Sequence, residues 1–475
     1  MTDKIVNRAL KLKLYPNEEQ KTFLDKSLGT SRFFYNYRLN EQIEFYKTEI
    51  EPIKDNEKLK KEKYKSFKPT TKKQFKEKFD FAKECSDDCL NSTERNLQSA
   101  FNNFFKSLNK TRKGKMGFPK FRSKKEHKDS YTECHVKKNA FDFHNRRINI
   151  SKCSPIYFKH REKLPKWYSD KCELKSITIS KNSCGEYWVS LLFELPSFYA
   201  NPKPICENQT IGLDWSPDEF YIDSECHSAY KDFGYKKQKQ GLYWDSENQK
   251  EVQTKTPKKL AKLQRRLARK TKDSANYEKA RIKLAKFEKH IADSRRWWIE
   301  NESLRLVKNY STIGIEDLNL QGIAKFLRNA KNVTDCGYGN FVNRLIQKGE
   351  ELGTSVVKVA WNFPSSQLCH VCGFKNIKVK NLNIREWTCP NCGTFHNRDV
   401  NASQNLKNYG LKYFRTNETL GNHGVIHEGI LPMSVEDVET LASLALAIGE
   451  ADETLSNQEE AERTTCERVH KAYSL

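Results

Sequence analysis

CHVCGFKNIKVKNLNIREWTCPNCGTFHNRD, residues 369–399, carries two Cys-x-x-Cys pairs and, seven residues beyond the last thiol, an aspartate. Cys369, Cys372, Cys389 and Cys392, with sixteen residues between the pairs, can close a tetrahedron around Zn²⁺, because each pair forms a tight knuckle. Gly373 and Gly393 directly follow the second cysteine of each pair, where glycine tolerates a positive φ and lets N–H groups approach sulfur. Four thiolate ligands leave no open position for water, so such a zinc holds a fold and the chemistry lies elsewhere. The other reading, two dithiols or two disulfides, is the weaker one for a chain that reads as intracellular. Ten further cysteines show no pairing beyond Cys85 and Cys89, whose four-residue spacing reads as one face of a helix, and all are taken as reduced cytosolic thiols.

Outward from the cysteines, Asp399 opens NRDVNASQNLKNYG, read as a helix closed by Gly410. Two more acids end short apolar runs: Asp214 in IGLDW (211–215) and Glu316 in STIGIED (311–317), both expected to be buried strands. A carboxylate in an apolar strand is costly to bury without a cation. Asp317 competes with Glu316, but alternation puts Ile313 and Ile315 on one face and Thr312, Gly314 and Glu316 on the other, which favours Glu316. Asp399 alone could be a helix cap. An all-oxygen set of this kind suits Mg²⁺ or Mn²⁺, and two such ions about 3.5–4 Å apart support phosphodiester hydrolysis.

The remaining pattern supplies the frame. EFYIDS (219–224) reads as the hairpin neighbour of IGLDW, followed by a long helical region. Its first helix has a stripe of Leu260, Leu263 and Leu267, and its second buries Leu284, Phe287, Ile291 and Trp298. FVNRLIQKGEEL is a helix ended by Gly353, and SVVKVAWNF is a strand leading into the cysteine region. Upstream, Leu10, Leu12 and Leu14 alternate with Lys11 and Lys13 as a strand, and a helix opens at Pro16, Glu18 and Glu19. A charged helical stretch spans 40–110, including a helix through Leu97, Phe101, Phe104 and Phe105. KSITIS and EYWVSLLFEL then form a hairpin, and with the first strand they suggest a β-barrel-like domain interrupted by the helical insertion.

The 475 residues carry a formal net charge of +24. From Glu418 onward, twelve acidic residues face three basic ones, a net of −9 that leaves +33 on residues 1–417. So positive a field, interleaved with twenty Tyr and twenty-seven Phe, favours nucleic acid over a membrane surface. No apolar run resembles a signal peptide or a bilayer span, so no membrane partner is expected.

IGLDWSPDEFYIDS, LAKLQRRLARKTKDSANYEKARIKLAKFEKHIADSRRWW, IGIEDLNLQG and the cysteine segment through NRDVNASQNL together resemble the split RuvC nuclease domain of the transposon-encoded TnpB proteins. The compact type V CRISPR effectors are similar. LKLYPNEEQKTFLDKSLGTSRFFYNYRLN also matches, so the resemblance spans nearly all of residues 5–425. It departs at Asp-Trp-Ser-Pro, where Ser216 stands in place of a frequent Gly, and at Ser-Glu-Cys-His, yet no carboxylate is lost. The resemblance implies an RNA-guided, Mg²⁺- or Mn²⁺-dependent DNA endonuclease whose RNase H-like sheet carries Asp214, Glu316 and Asp399 as catalytic metal ligands, beside the four-cysteine zinc ribbon. It implies an α/β plus β-barrel fold: residues 1–39 and 116–204 as a wedge β-barrel, 40–115 as a helical recognition lobe, 205–365 as the nuclease, 366–398 as the zinc ribbon and 399–420 as the third-motif helix. The acidic stretch 421–475 is a partly flexible tail in which 433–450 can form a helix. Guide RNA and double-stranded DNA are the implied partners, a prokaryotic cytoplasm near the nucleoid the implied place. Lys258, Lys262, Arg265, Arg266 and Arg269 are implied nucleic-acid contacts, reading phosphates and A-form shape while base pairing supplies sequence. Two other readings are an RNA-guided repressor without cleavage, against which the intact triad speaks, and a shape-reading junction nuclease, for which residues 40–115 are superfluous. Monomer and dimer stay open.

Overall fold

The computed structural model describes residues 6–53, 56–109, 116–126, 129–137, 139–159, 168, 172–195, 202–326, 335–360 and 362–418. The tail from residue 421, with its expected helix at 433–450, lies outside the described residues, as does most of the linker at 196–204.

β1 (Val6–Leu14) buries Leu10, Leu12 and Leu14 and exposes Lys11, as its alternation requires. α1 (Glu18–Phe45) starts in a reciprocal capping box between Asn17 and Gln20, with Glu18 and Glu19 at the positive end of the helix. Leu24, Leu28, Phe34 and Leu39 form its buried side. The helix runs unbroken past residue 40, so one rod joins the first strand to the helices beyond. These are α2 (Glu57–Ser66), α3 (Lys72–Lys78) and α4 (Asp87–Leu108), the last packing Leu97 and Phe101 on Tyr35 and Leu39 of α1. Cys85 and Cys89 do not share a helix face. Cys85 precedes the N-cap Ser86, Cys89 sits in the first turn of α4, and both are buried free thiols in the core.

Further strands complete this half. β2 (Asp129–Glu133), β6 (Glu173–Lys181) and β7 (Tyr187–Leu195) join β1 in a fully antiparallel sheet of order β1-β7-β6-β2. β3 (Phe141–Asp142), β4 (Arg147–Ile148) and β5 (Ile156–Tyr157) form a second sheet, hydrogen-bonded to the end of β1 through a Leu14–Phe158 bridge. Tyr131, Ile148, Ile156, Phe158, Ile179 and Leu191 from both sheets meet in one apolar core.

The second half is built on a mixed sheet of order β13-β12-β8-β9. β8 (Thr210–Ser216) and β9 (Phe220–Asp223) are the expected hairpin, while β12 (Thr312–Glu316) lies parallel to both β8 and β13 (Ser355–Val359). The stretch between β9 and the first long helix is not helical as expected: it contains the hairpin β10 (Leu242–Asp245) and β11 (Lys250–Gln253). Its turn residues Asp245 to Gln249 are polar, and Trp244 and Val252 are too sparse an apolar pattern to announce strands. α5 (Thr256–Ala268), α6 (Ala275–Asn309), α7 (Leu320–Phe326) and α8 (Tyr338–Leu352) follow the chain order around it. Ile291 and Trp298 of α6 are buried, Leu284 and Phe287 only half so. Gly353 closes α8 in the left-handed conformation.

α9 (Arg398–Glu418) covers the opposite face of the sheet, and Gly410 does not end it. A Cβ on Gly410 would stand 3.4 Å from the Thr312 side chain, so this glycine serves helix–sheet packing. Gly212 and Gly314 are register partners on β8 and β12, and a Cβ on either would fall 1.9 Å from the Ser403 carbonyl oxygen or 2.3 Å from that of Leu406. Two adjacent strands thus present bare backbone, on which α9 rests directly. Gly212→Ala should therefore lower stability by about 3 kcal/mol by prising α9 off the sheet. Denaturant unfolding midpoints test this, and an unchanged midpoint would contradict so close a contact.

Candidate active site and metal centre

The direction of α9 places the third carboxylate. Along the helix, Ser403 overlies Gly212, Leu406 overlies Gly314 and Gly410 lies by Thr312, so the chain descends the sheet as β12 ascends it. One turn before Ser403 stands Asp399, in the first turn of the helix. Side chains two apart on a strand share a face, so Asp214 shares the α9 face with Gly212, and Glu316 shares it with Gly314. All three acids therefore gather where β8 and β12 end and α9 begins. Asp317 falls on the other alternation and pairs with Lys358 instead, at 3.2 Å.

Electrostatics register the crowding. The Asp214 carboxyl is held well above the usual carboxylate range, first by desolvation and then by repulsion from Glu316 and Asp399, with Arg398 and Arg385 opposing. Burial also raises Glu316, against a hydrogen bond donated by the Ser365 hydroxyl and the attraction of Arg398. Asp214 retains partial water contact yet is surrounded by protein atoms, and the second property governs its solvation. The Tyr338 hydroxyl is buried without a hydrogen-bond partner beside the same two acids, and burial first, then repulsion from Glu316 and Asp214, pushes its ionisation well above the ordinary phenol value. Asp399 turns towards Arg385, its oxygens 3.3 and 3.4 Å from the guanidinium. Asp214, Glu316 and Asp399 offer the hard oxygen donors that suit Mg²⁺ or Mn²⁺, but with Asp399 turned to Arg385 they do not form a closed ligand cluster, which among the described residues the four cysteines do. Asp399 is not the helix cap: the Asn397 side chain accepts from the Asp399 and Val400 N–H groups.

The four cysteines converge as expected. Among the described residues, Cys369, Cys372, Cys389 and Cys392 are the group whose ligand atoms all lie within 4.8 Å of one another. Both knuckles close alike, with Gly373 N–H bonded to the Cys369 carbonyl and Gly393 N–H to that of Cys389, at φ of 76° and 72°. A soft, tetrathiol set fits zinc. His396, which sequence reasoning did not single out, is buried against Trp387 and brings Nε2 within 3.1 Å of the Cys369 sulfur. Its only signal was its position in the hairpin of β14 (Glu386–Thr388) and β15 (Phe395–Asn397), opposite Trp387.

A stripe of asparagines ties this centre to the carboxylates. Asn401 and Asn405 donate to the Leu368 carbonyl, Asn405 also to that of Ser365, and Asn408 to that of His370. The 401, 405, 408 spacing puts them on one face of α9. Arg385, also missed, joins the two sites: its carbonyl accepts from the Arg398 N–H while its guanidinium meets Asp399. Lys258, Lys262, Arg265, Arg266 and Arg269 are all exposed on or just after α5, distant in sequence from either centre.

Three family descriptions match parts of the chain: "Helix-turn-helix domain" over residues 1–51, "Probable transposase" over 237–327 and "Cas12f1-like, TNB domain" over 338–406. Within the first, the described residues form one strand and one continuous helix. A Streptomyces pristinaespiralis protein named "Putative RNA-guided DNA endonuclease" is 30% identical over 407 residues, 86% of this chain and 90% of that protein. The Escherichia coli K12 protein InsQ, named in the same terms, is 25% identical over 418 residues, 84% of this chain and 91% of its own. A protein in the "Cryo-EM structure of the Cas12f1-sgRNA-target DNA complex" aligns at a TM-score of 0.42 and 12% identity, over 85% of this chain and 99% of that one.

Proposed function

The chain belongs to the TnpB family, whose curated relatives are named RNA-guided DNA endonucleases, and from that premise we propose that it cuts DNA selected by a bound guide RNA. The observation that carries the reading is the placement of Asp214, Glu316 and Asp399 towards one end of the α9-covered face, close enough for Asp214 to be repelled by the other two. On this reading the sheet β13-β12-β8-β9 is the core of an RNase H-like, RuvC-type nuclease, interrupted before α9 by the zinc ribbon. The antiparallel sheet of the first half and its neighbour at Phe158 form the wedge barrel, and α1 to α4 form the recognition lobe.

Asp214, Glu316 and Asp399 would hold Mg²⁺ or Mn²⁺, which supplies an activated water and neutralises charge on the scissile phosphate. The protein's own contribution is orientation. Ser365 fixes one Glu316 oxygen, and the bare-glycine contact fixes the start of α9. Arg385 and Arg398 balance the acids before a cation arrives, and Arg385, largely exposed, can release Asp399. Lys258, Lys262, Arg265, Arg266 and Arg269 neutralise phosphates of the bound strands.

The test uses the purified full chain with its co-purifying RNA, which is sequenced to give the guide. Matched double-stranded DNA should be cut with Mg²⁺ or Mn²⁺ and left whole in a chelator. Cutting that ignores the guide sequence would overturn the guided reading. Transposon-end RNA marks a transposon protein, repeat-derived RNA a CRISPR effector.

A further inference from the structure

Between α5, α6 and the segment before α5 lies an open cleft of about 560 Å³. Lys255, Lys259, Lys283 and Lys286 line it, with no carboxylate among the lining residues. Its floor is apolar, formed by buried Leu263 and Ile291 and by the half-buried ring of Phe287. Gln238 and His290 also line it. α5 begins at this cleft without a side-chain cap and without an acid in its first turn, so its positive end adds to the four ammonium groups. None of these lysines belongs to the ion pairs among the described residues, whereas the neighbouring Lys289 is held by Asp293.

Four uncompensated cations around an apolar floor select a ligand that is anionic at one end and flat and apolar at the other. Site volumes for small ligands run from roughly 300 to 1,000 Å³, so this cleft suits one nucleotide and not a duplex. We propose that the α5–α6 cleft seats a single unpaired, phosphate-bearing nucleotide of a bound strand, a role separate from the phosphate contacts of Lys258, Lys262 and the arginines. It rests on the reading of the chain as a nucleic-acid-bound nuclease and adds a base-holding site to it. The Lys259 ammonium now lies over the Phe287 ring, 4.7 Å from its centre. A base packed on that ring takes the place of the ammonium, which is then free for the phosphate. Stacking of this kind tolerates any base, while Gln238 and His290 can meet its edge.

The probes are fluorescein-labelled ten-nucleotide RNA and DNA strands of one sequence and a DNA strand of equal length without bases, titrated by anisotropy into the RNA-free full chain. Lys283→Glu with Lys286→Glu, both exposed, should weaken all three strands at least tenfold and reduce the salt dependence. Phe287→Leu, which keeps apolar bulk, should weaken the base-bearing strands three- to tenfold and leave the abasic strand unchanged. Tighter RNA than DNA assigns the nucleotide to the guide, and the reverse assigns it to a DNA strand. Equal binding of base-bearing strands by wild type and Phe287→Leu, or an equal loss on the abasic strand, overturns the base seat. A wild-type chain that fails at guided cleavage removes the nuclease reading instead, whatever the cleft binds.

Discussion

Asp214→Ala lowers cleavage of guide-matched DNA by at least about a thousandfold, equivalent to about 4 kcal/mol of transition-state stabilisation, while RNA and DNA binding stay within twofold. Cleavage within tenfold of wild type would remove the residue from the reaction. Asp214→Asn separates catalysis from folding. In the metal-free protein Asp214 is poorly solvated and, secondarily, repelled by Glu316 and Asp399, so its folded-state pKa lies above that of the unfolded chain. The native state thus holds a proton that the unfolded chain releases. Its stability contribution is complete below the usual carboxylate range and is lost as pH rises through the raised value. The Asn variant removes this loss, so its metal-free form should unfold at equal or higher denaturant than wild type at neutral pH. Mg²⁺ should stabilise wild type and leave the variant nearly unmoved. A variant that is stable, binds strands and does not cut isolates the carboxylate as the missing part.

Asp214, Glu316 and Asp399 stand out in the sequence because three separate local signals agree, and the structure brings the three near enough to repel one another. An acid ending an apolar strand is anomalous on its own, and the alternation in STIGIED chose Glu316 over Asp317 before any contact was known. The Cys-x-x-Cys spacing likewise dictates its own geometry, down to the positive φ of Gly373 and Gly393. What stayed hidden depends on partners far away in sequence. Gly410 looked like a helix end because glycine usually is one, yet here it lets α9 lie against Thr312, a fact set by the sheet. Asn401, Asn405 and Asn408 read as unremarkable polar positions until the Leu368 and His370 carbonyls are placed beside them. Arg385 and His396 were hidden for the same reason, since a cation beside an acid and an imidazole beside a thiol need the folded hairpin. The hairpin β10–β11 was missed because its alternation is weak and its stabilising contacts, such as Tyr230 to Glu251, are made with another segment.

Cys389→Ser should remove zinc and, with it, DNA cleavage, although Cys389 touches neither carboxylate nor substrate. Structural zinc binding in small domains is worth about 10–16 kcal/mol, so three thiolates and a hydroxyl hold the ion far less well. The apolar group beneath the centre, Val379 and Trp387, is too small to order the ribbon alone. Loss of the ribbon frees the hairpin that ends at Asn397, two residues before Asp399, and with it the Arg385 carbonyl that holds Arg398. The asparagine stripe then keeps the body of α9 tied to residues 365–370, and the glycine contact keeps it on the sheet. Damage should therefore be confined to the first turn, where Asp399 sits. The expected signature is zinc content falling from one per chain towards none and cleavage falling at least a hundredfold, with the main unfolding transition little shifted. Cys206→Ser, at an exposed cysteine outside the ribbon, should change none of these. Full zinc occupancy in Cys389→Ser would exclude that thiol as a ligand. Full cleavage after zinc loss would instead show that α9 holds Asp399 without the ribbon's help.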